Sequence, residues 1–540
     1  MMDKKWFDDM EAKIPRNGVR TRFAPSPTGY MHVGGLRTAL YAYLIAKKVG
    51  GTFILRIEDT DTARFVEGAT EIIIDTLLGA GLRYEEGPDI GGPAAPYTQS
   101  ERRELYRPYA ELLCEKGAAY YCFCEHVSHD ERDHSEEGVV SLEDDVCRAF
   151  PYAEALDRVS RGDPHVIRMK TPREGETEIT DMVFGNITVQ NKTLDDMILL
   201  KRDGLPTYNF ANVIDDHLMG ITHVLRGSEY ISSAPKYNIL YKAFGWDIPA
   251  YITVSLIMRD AQNKISKRKG DPTYDDLLRQ GYLPEAVLNY VALLGWSPGG
   301  ERELFLLDEL VEVFSIGGIS KSPAIFDIDK LTYFNAEYIR AMSPEEFAGI
   351  ARPYILSAVK NEGCSPGAIS AILQARCEKL SDIPSMIDFF DSVPEYDAQL
   401  YVHKKSKTDE SISLEMLRAV HSALSKLNPQ SDELYDDQPK AQPVAQSVAQ
   451  LIAQPSEQPA AQPNAQLNNW TADGVHAALT GLAEELGAKN ATVMWPLRIA
   501  VSGKAVTPGG AVEICVILGR DETLKRINAG IAKLGGDIRE

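Results

Sequence analysis

Two stretches of this chain hold residue types that could handle a phosphate. The first is Arg22-Phe-Ala-Pro-Ser-Pro-Thr-Gly-Tyr-Met-His32-Val-Gly-Gly35. A Pro/Gly-rich loop here leads from a short apolar strand into a segment of helical period. A helix opening at that point offers N–H groups and the positive end of its dipole to an anion. His32 can donate a hydrogen bond to a phosphate oxygen, and Gly34 and Gly35, lacking Cβ, let a flat base or sugar approach the backbone. The second stretch, about 230 residues later, is Asn263-Lys264-Ile265-Ser266-Lys267-Arg268-Lys269-Gly270, a dense positive cluster in an acidic chain. Each has a bland reading, a βα turn with an incidental histidine and a solvated basic loop. Their joint presence argues against both.

Periodicity indicates what positions these groups. Val19-Arg-Thr-Arg-Phe23 reads as a strand, and Leu36, Leu40, Tyr43 and Leu44 fall at helical spacing before a Gly50-Gly51 stop. Thr52-Phe-Ile-Leu-Arg-Ile57 is a second strand, running into the carboxylates Glu58, Asp59 and Asp61. Strand, helix and strand predict a right-handed βαβ unit. From 105 to 205 the pattern turns irregular and carries a charged segment, His129 to Asp145, so an inserted α+β domain is expected there. Strands return at 221–225 and 252–257, Ala286 to Leu294 reads as a helix, and helices dominate beyond 340. Residues 429–469, rich in Ala, Gln and Pro, cannot bury enough apolar surface to offset chain entropy and read as a disordered insertion.

Length and composition agree with several packed units. At 540 residues the chain exceeds one hydrophobic core, and 44% hydrophobic with 25% charged residues is an ordinary globular balance. No stretch approaches the roughly 18 apolar residues of a membrane span. The start, Met1 to Asp9, lacks the apolar core of a signal peptide, so a cytoplasmic location without membrane partners is expected. Seven cysteines in such a compartment favour burial or metal binding over bridging. The net charge of −21 weighs against a nucleic-acid partner on average, but it does not describe a local patch.

The motifs carry a resemblance. His32-Val-Gly-Gly35 resembles the HIGH signature, and Lys264-Ile-Ser-Lys-Arg268 the KMSKS signature, of class I aminoacyl-tRNA synthetases. Pro25 to Gly29, Leu36 to Leu40, Arg56 to Asp61, Pro206 to Asn212, Asp215 to Gly220, Arg226 to Tyr230 and Leu294 to Trp296 are similar to the bacterial glutamyl branch. The resemblance implies a Rossmann-type α/β catalytic domain in two halves, 19–104 and 206–260, after an N-terminal extension, 1–18. It also implies an inserted acceptor-end-binding domain, 105–205, and a KMSKS loop with stem-contact region, 261–340. A mainly α-helical anticodon-binding region, 341–428 and 470–540, is then interrupted by the 429–469 insertion.

The activity implied is the joining of L-glutamate to tRNA(Glu) at the expense of ATP with Mg2+, by a monomer. Catalytic roles fall to His32 and Lys267, and ATP binding to His32, Gly34, Gly35, Lys264, Lys267 and Arg268. Glutamate binding falls to Arg22, Ala24, Ser26, Glu58, Tyr208, Asn212 and Arg226. Choosing glutamate over glutamine requires a cationic pocket, which the two arginines supply. Whether tRNA(Gln) is charged as well stays open, because no side chain here discriminates. Several hundred residues beyond the basic loop weigh strongly against a short nucleotidyltransferase, and the intact His32, Lys267, Arg22 and Glu58 argue against the remaining alternative, a silent RNA-binding paralogue.

Cys122-Phe-Cys124 and Cys147 resemble the zinc site that some members carry in the inserted domain. Where the family's fourth ligand lies, this chain has Ala149, and His126, His129 and His134 are the alternatives for a metal that prefers four ligands.

Overall fold

The computed structural model describes residues 3–60, 66–124, 146–265, 270–429 and 469–536. Asp61, His126, His129, His134, Lys267, Arg268 and nearly all of the Ala/Gln/Pro-rich insertion lie outside the described residues. The chain divides into two compact units, Met1–Leu278 with Pro284–Ile328, and Arg279–Leu283 with Asp329–Glu540.

The first unit begins with helix α1 (Lys4–Ala12), strand β1 (Arg20–Phe23), helix α2 (Val33–Lys48) and strand β2 (Thr52–Leu55). α2 forms because apolar residues recur on one side, with Val33, Leu36, Leu40 and Leu44 fully buried, and because Lys47 and Lys48 meet the negative end of its dipole. It stops at Gly50, whose φ of +64° suits a residue without Cβ. Gly51 then packs so closely that an added Cβ would lie 2.3 Å from the carbonyl oxygen of Val19. That contact brings β2 beside β1, with Arg22 opposite Ile54 in a parallel register.

Next in order are α3 (Ala69–Gly79), α4 (Arg103–Glu115), β3 (Ala119–Cys122), α5 (Tyr152–Ser160), β4 (Val166–Met169), β5 (Glu176–Asp181), β6 (Gly185–Gln190) and β7 (Ile198–Leu200). The α/β alternation resumes with α6 (Tyr208–Leu218), β8 (His223–Gly227), α7 (Ala234–Phe244) and β9 (Ala250–Val254). The main sheet runs β2-β1-β8-β9-β5-β6, parallel throughout except for the hairpin partner β6 at one edge. Two strands of the irregular stretch thus extend the sheet that carries the phosphate-handling motifs. The rest of that stretch builds a small antiparallel sheet, β3-β4-β7. Its core joins Tyr106, Tyr109 and Leu113 of α4 to Tyr121, Ile167 and Leu199 and to Phe210 and Ile214 of α6.

The second unit is helical among the described residues, and its buried side chains Leu417, Val420, Val475, Leu497, Ile514 and Ile527 come from helices at 410–425, 472–485, 490–502, 511–518 and 520–533. The first of these packs on the second, third and fifth. No described helix in either unit is long and apolar enough to cross a membrane.

Candidate functional site

Parallel strands place ligand-binding groups beyond their C-terminal ends, at the point where strand order reverses. Here β1 ends at Arg22 and Phe23, β8 at Arg226 and Gly227, and β9 leads to Ser255, Leu256 and Ile257. These residues line one cleft of ≈ 1090 Å³ together with Ala24, His32, Gly34, Gly35, Tyr208 and Lys264. Of the residues singled out in the sequence, Ser26 is exposed, and Ser26, Glu58 and Asn212 are not on the cleft's walls.

One end of the cleft rests on a buried charge network. The two-residue period of β1 puts Arg20 and Arg22 on the same face, both buried. Arg20 forks onto Glu86 at 2.8 and 2.9 Å. Arg22 donates to both oxygens of Asp216, from Nε at 2.9 Å and Nη2 at 3.2 Å, and to the carbonyl of Leu225. Arg56, fully buried, donates from Nη1 to Asp216 Oδ1 at 2.7 Å and from Nη2 to Glu58 Oε1 at 2.8 Å. Arg226 reaches Asn212 Oδ1 at 2.6 Å and Asp216 Oδ2 at 3.5 Å from one nitrogen, Nη2. Burial opposes a charged Asp216, but Arg22 and then Arg56 outweigh it and hold the carboxyl well below the usual carboxylate range. For Glu58 burial prevails over Arg56 and pushes the carboxyl up.

The charge balance of this network is informative. Three guanidiniums, Arg22, Arg56 and Arg226, face two carboxylates, Glu58 and Asp216. The adjacent Asp215 is matched by Arg102 at 2.7 Å. Among the described residues, these ion pairs leave the set one carboxylate short of its guanidiniums. Arg22 and Arg226 both line the cleft, and Arg226 is the one whose Nε and Nη1 have no hydrogen-bond partner among the described residues. A buried donor left unmade costs about 1–3 kcal/mol, more when charged, so an anionic ligand is the natural complement. Its guanidinium lies 4.5 Å over the Tyr237 ring. Burial and then the charge of Glu58 push Tyr208 well above its ordinary value, keeping it a neutral donor.

The other end is built on the start of α2. His32 is its N-cap: Nδ1 accepts from the N–H groups of Gly34 at 3.0 Å and Gly35 at 3.2 Å. An acceptor at Nδ1 places the neutral ring's proton on Nε2, so the ring is held as a donor. Gly34 is needed for this, since a Cβ there would come within 2.8 Å of the His32 ring. The sequence points to glycine for ligand access, while the structure adds a reason within the protein itself. Lys264 lies on the same cleft, bridged to Met258 across a turn that Asp260 ties with two 2.9 Å bonds to the N–H groups of Gln262 and Asn263.

Several residues here had no assigned role in the sequence. Asp216 is the common acceptor of three arginines, and its spacing of four and eight residues from Asn212 and Tyr208 puts all three on one face of α6, a signal that was available. Arg37, buried at 3% exposure, donates to the carbonyls of Leu294 (2.8 Å) and Ser255, tying α2 to the segment that leads to Lys264. Nothing in its local sequence announces partners more than 200 residues away.

The sulfurs of Cys122, Cys124 and Cys147 lie within 4.8 Å of one another at the end of β3. The backbone N–H of Phe123 donates to Cys147 Sγ at 3.4 Å, and burial, with the neighbouring Cys147, pushes the Cys124 thiol up to about 12. Three converging thiols fit the donor chemistry of a zinc ion, and the described residues add no fourth ligand to that group.

A histidine-capped helix at one end of a cleft, a cationic pocket at the other and strand C-termini between them define a nucleotide-binding α/β enzyme for an anionic substrate. The model of the catalytic domain of class I tRNA synthetases (E and Q) matches residues 18–333, and that of an anticodon-binding domain matches 334–441 and 458–531. A glutamate–tRNA ligase of Clostridium botulinum is 50% identical over 523 residues, covering 96% of this chain and 99% of its own. That of Clostridium tetani is 50% identical over 526 residues, covering 97% and 99%. The crystal structure of a glutamate tRNA ligase from Elizabethkingia meningosepticum in complex with its amino acid is similar at TM-score 0.78 and 33% identity, covering 96% of this chain and all of the other. The chain belongs to the glutamate–tRNA ligase family of class I tRNA synthetases.

Proposed function

We propose that this protein activates L-glutamate with ATP and transfers it to the 3′-terminal adenosine of tRNA(Glu). The observation that carries the reading is the pair of unpartnered nitrogens of Arg226, Nε and Nη1, in a buried network one carboxylate short among the described residues, on a cleft whose other end is the His32 cap. Arg226 pairs with the side-chain carboxylate of glutamate, with Tyr208 as a neutral donor beside it. Asn212 and Asp216 hold Arg226 in place. Glu58 lies behind the cleft wall, where its bonds from the described residues both fall on Oε1, and its negative charge complements the substrate ammonium from there. Ala24 and Ser26 border the backbone end of the amino acid.

In the first step an oxygen of the substrate's α-carboxylate attacks the α-phosphorus of ATP, the bond to the bridging oxygen breaks, and pyrophosphate leaves. The enzyme supplies position and charge and needs no nucleophile of its own. His32 donates from Nε2 to a phosphate oxygen, Gly34 and Gly35 let the nucleotide approach, and Lys264 with Lys267 and Arg268 offsets charge on the leaving group. Magnesium accompanies ATP as counter-charge. In the second step a ribose hydroxyl of the terminal adenosine attacks the acyl carbon and AMP leaves. The protein works as a cytoplasmic monomer on this reading. Zinc on Cys122, Cys124 and Cys147 belongs to the same proposal, and metal analysis of the purified protein tests it: about one zinc per chain supports the site, and none rejects it.

Aminoacylation with radiolabelled glutamate, ATP and magnesium, on tRNA(Glu), tRNA(Gln) and no tRNA in parallel, tests the function. Charging of tRNA(Glu) is the expected result. Charging of tRNA(Gln) as well widens the acceptor, and charging of neither by folded protein overturns the proposal.

A further inference from the structure

In the helical unit, Lys407 is the one non-glycine residue with positive φ among the described residues, at +56°. It closes the short loop His403-Lys404-Lys405-Ser406-Lys407-Thr408, whose ends pair through His403 N to Thr408 O at 3.0 Å and Thr408 N to His403 O at 3.2 Å. A loop of this form asks for glycine or asparagine at its left-handed position, because any other side chain meets the backbone there. The chain has lysine instead.

That side chain gives the fold nothing in return. Lys404, Lys405 and Lys407 are all exposed, and no ion pair or hydrogen bond engages their ammonium groups among the described residues. The loop beneath them is firmly held. His403 Nδ1 meets Ser406 Oγ at 2.8 Å, its ring stacks on Trp495 at 3.9 Å with 12° between planes, and Thr492 Oγ1 donates to the Ser406 carbonyl at 2.8 Å. Asp409 follows at once, but its carboxylate is engaged as the cap of the next helix, accepting from Ile412 N at 2.8 Å; Glu410 is exposed beside it. The result is three ammonium groups on a rigid, strained turn in a chain of net charge −21. Like charges held together this way repel one another unless a polyanion comes between them.

We infer that the turn Lys404–Lys407 is a phosphate-contacting element, seated against the sugar-phosphate backbone of the RNA substrate. Its residues fall within the stretch 334–441 matched by the anticodon-binding family. The inference rests on the proposed function for its partner and goes beyond it in naming where the backbone is gripped. A backbone contact recognises charge and spacing and leaves base identity unread, so the turn contributes affinity for any acceptor RNA and no choice between tRNA(Glu) and tRNA(Gln).

The test is equilibrium binding of the full chain to a tRNA(Glu) transcript over a range of salt, with charging kinetics alongside. Each phosphate contact adds about 0.7–0.9 to the slope of log K against log salt. The variant Lys404→Gln/Lys405→Gln/Lys407→Gln is expected to lower that slope by about two to three and raise KM for tRNA(Glu) roughly tenfold or more at low salt, leaving kcat unchanged. Lys407→Gly relaxes the backbone while removing one charge, so it should lower the slope by about one with stability kept or raised. An unchanged slope in both variants, in an enzyme that still charges tRNA(Glu), overturns the inference and leaves the proposed function standing. Failure of the unaltered protein to bind or charge tRNA(Glu) sinks both. Loss of binding to an acidic protein partner with RNA binding intact would reassign the turn and likewise overturn it.

Discussion

The two ends of the cleft are made of different materials. At the end proposed for the amino acid, Arg22, Arg56, Glu58 and Asp216 are each 4% exposed or less, and among the described residues the network is one carboxylate short of its guanidiniums. At the end proposed for the phosphates stand a helix cap, two glycines and an exposed lysine on a turn. Selectivity between glutamate and glutamine depends on one hydrogen-bonding and charge difference, and a buried, preorganised network reports it at full strength because low dielectric magnifies both the match and the mismatch. Phosphate transfer makes no such fine distinction. It needs charge near the leaving group and freedom for reactant to enter and product to depart.

This contrast breaks most visibly in stability. Asp216→Asn leaves three guanidiniums facing one carboxylate in the interior, and removing one partner of a buried pair costs about 3–5 kcal/mol. Urea unfolding should register this loss. Because the folded state holds Asp216 below the ordinary carboxylate range, its contribution is complete above about pH 5 and is lost as pH falls from there toward the folded value. The gap between the parent protein and Asp216→Asn should therefore be constant from neutral pH to about 5 and narrow in stronger acid. A gap that stays constant throughout would show that Asp216 is not the network's anion. Next in size is Arg226→Gln. Among the described residues only one nitrogen of Arg226 is bonded within the protein, so the fold should tolerate the change, while kcat/KM for glutamate falls by about a hundredfold, equivalent to about 2.7 kcal/mol. A loss under tenfold would mean that the substrate carboxylate is held elsewhere.

The smallest effect separates the two duties of His32. His32→Ala removes both cap and donor, whereas His32→Asn keeps a side chain that can cap. Both should lower kcat for charging by similar factors, but only the alanine variant should lose about 1 kcal/mol in thermal or urea unfolding. Equal stabilities would show that the 3.0 and 3.2 Å bonds to Gly34 and Gly35 do not matter to the fold.

The same division governs what the sequence reveals. The phosphate end is local: a loop, a histidine and two glycines within a few residues open a helix, and the strand and helix pattern from Val19 to Ile57 is found at β1, α2 and β2. The amino-acid end is assembled across great separations, Arg22 to Asp216 over 194 positions and Arg56 to Asp216 over 160. Charged residues on strands give no sign of which carboxylate they will meet. Tyr208 and Asn212 enter the sequence reading through the family resemblance, while the helical spacing that puts Asp216 on their face goes unused and would not have named their partners. The hairpin β5–β6 was also hidden. The alternating exposure of Glu176–Asp181 suits a peripheral ribbon, and its tie to the main sheet is the single pairing of Asp181 with Tyr251.

The strand order of that sheet also sets a schedule for synthesis. β1 lies between β2 and β8, and its register partner for Thr21 is His223, about two hundred residues downstream. At roughly 5–20 residues per second, a ribosome takes about ten to forty seconds to deliver that partner. Until then the nascent β1 and β2 can pair only with each other, one edge of β1 is unfilled, and Arg20 and Arg22 are hydrated on a face that will later be interior. The small sheet β3-β4-β7 meets no such delay from β8 or β9. Its core, however, also takes Tyr237, Leu240 and Phe244 from α7, so a chain stalled before Gly227 would carry a small sheet short of part of its core beside an unfinished main sheet, a target for chaperones and proteases.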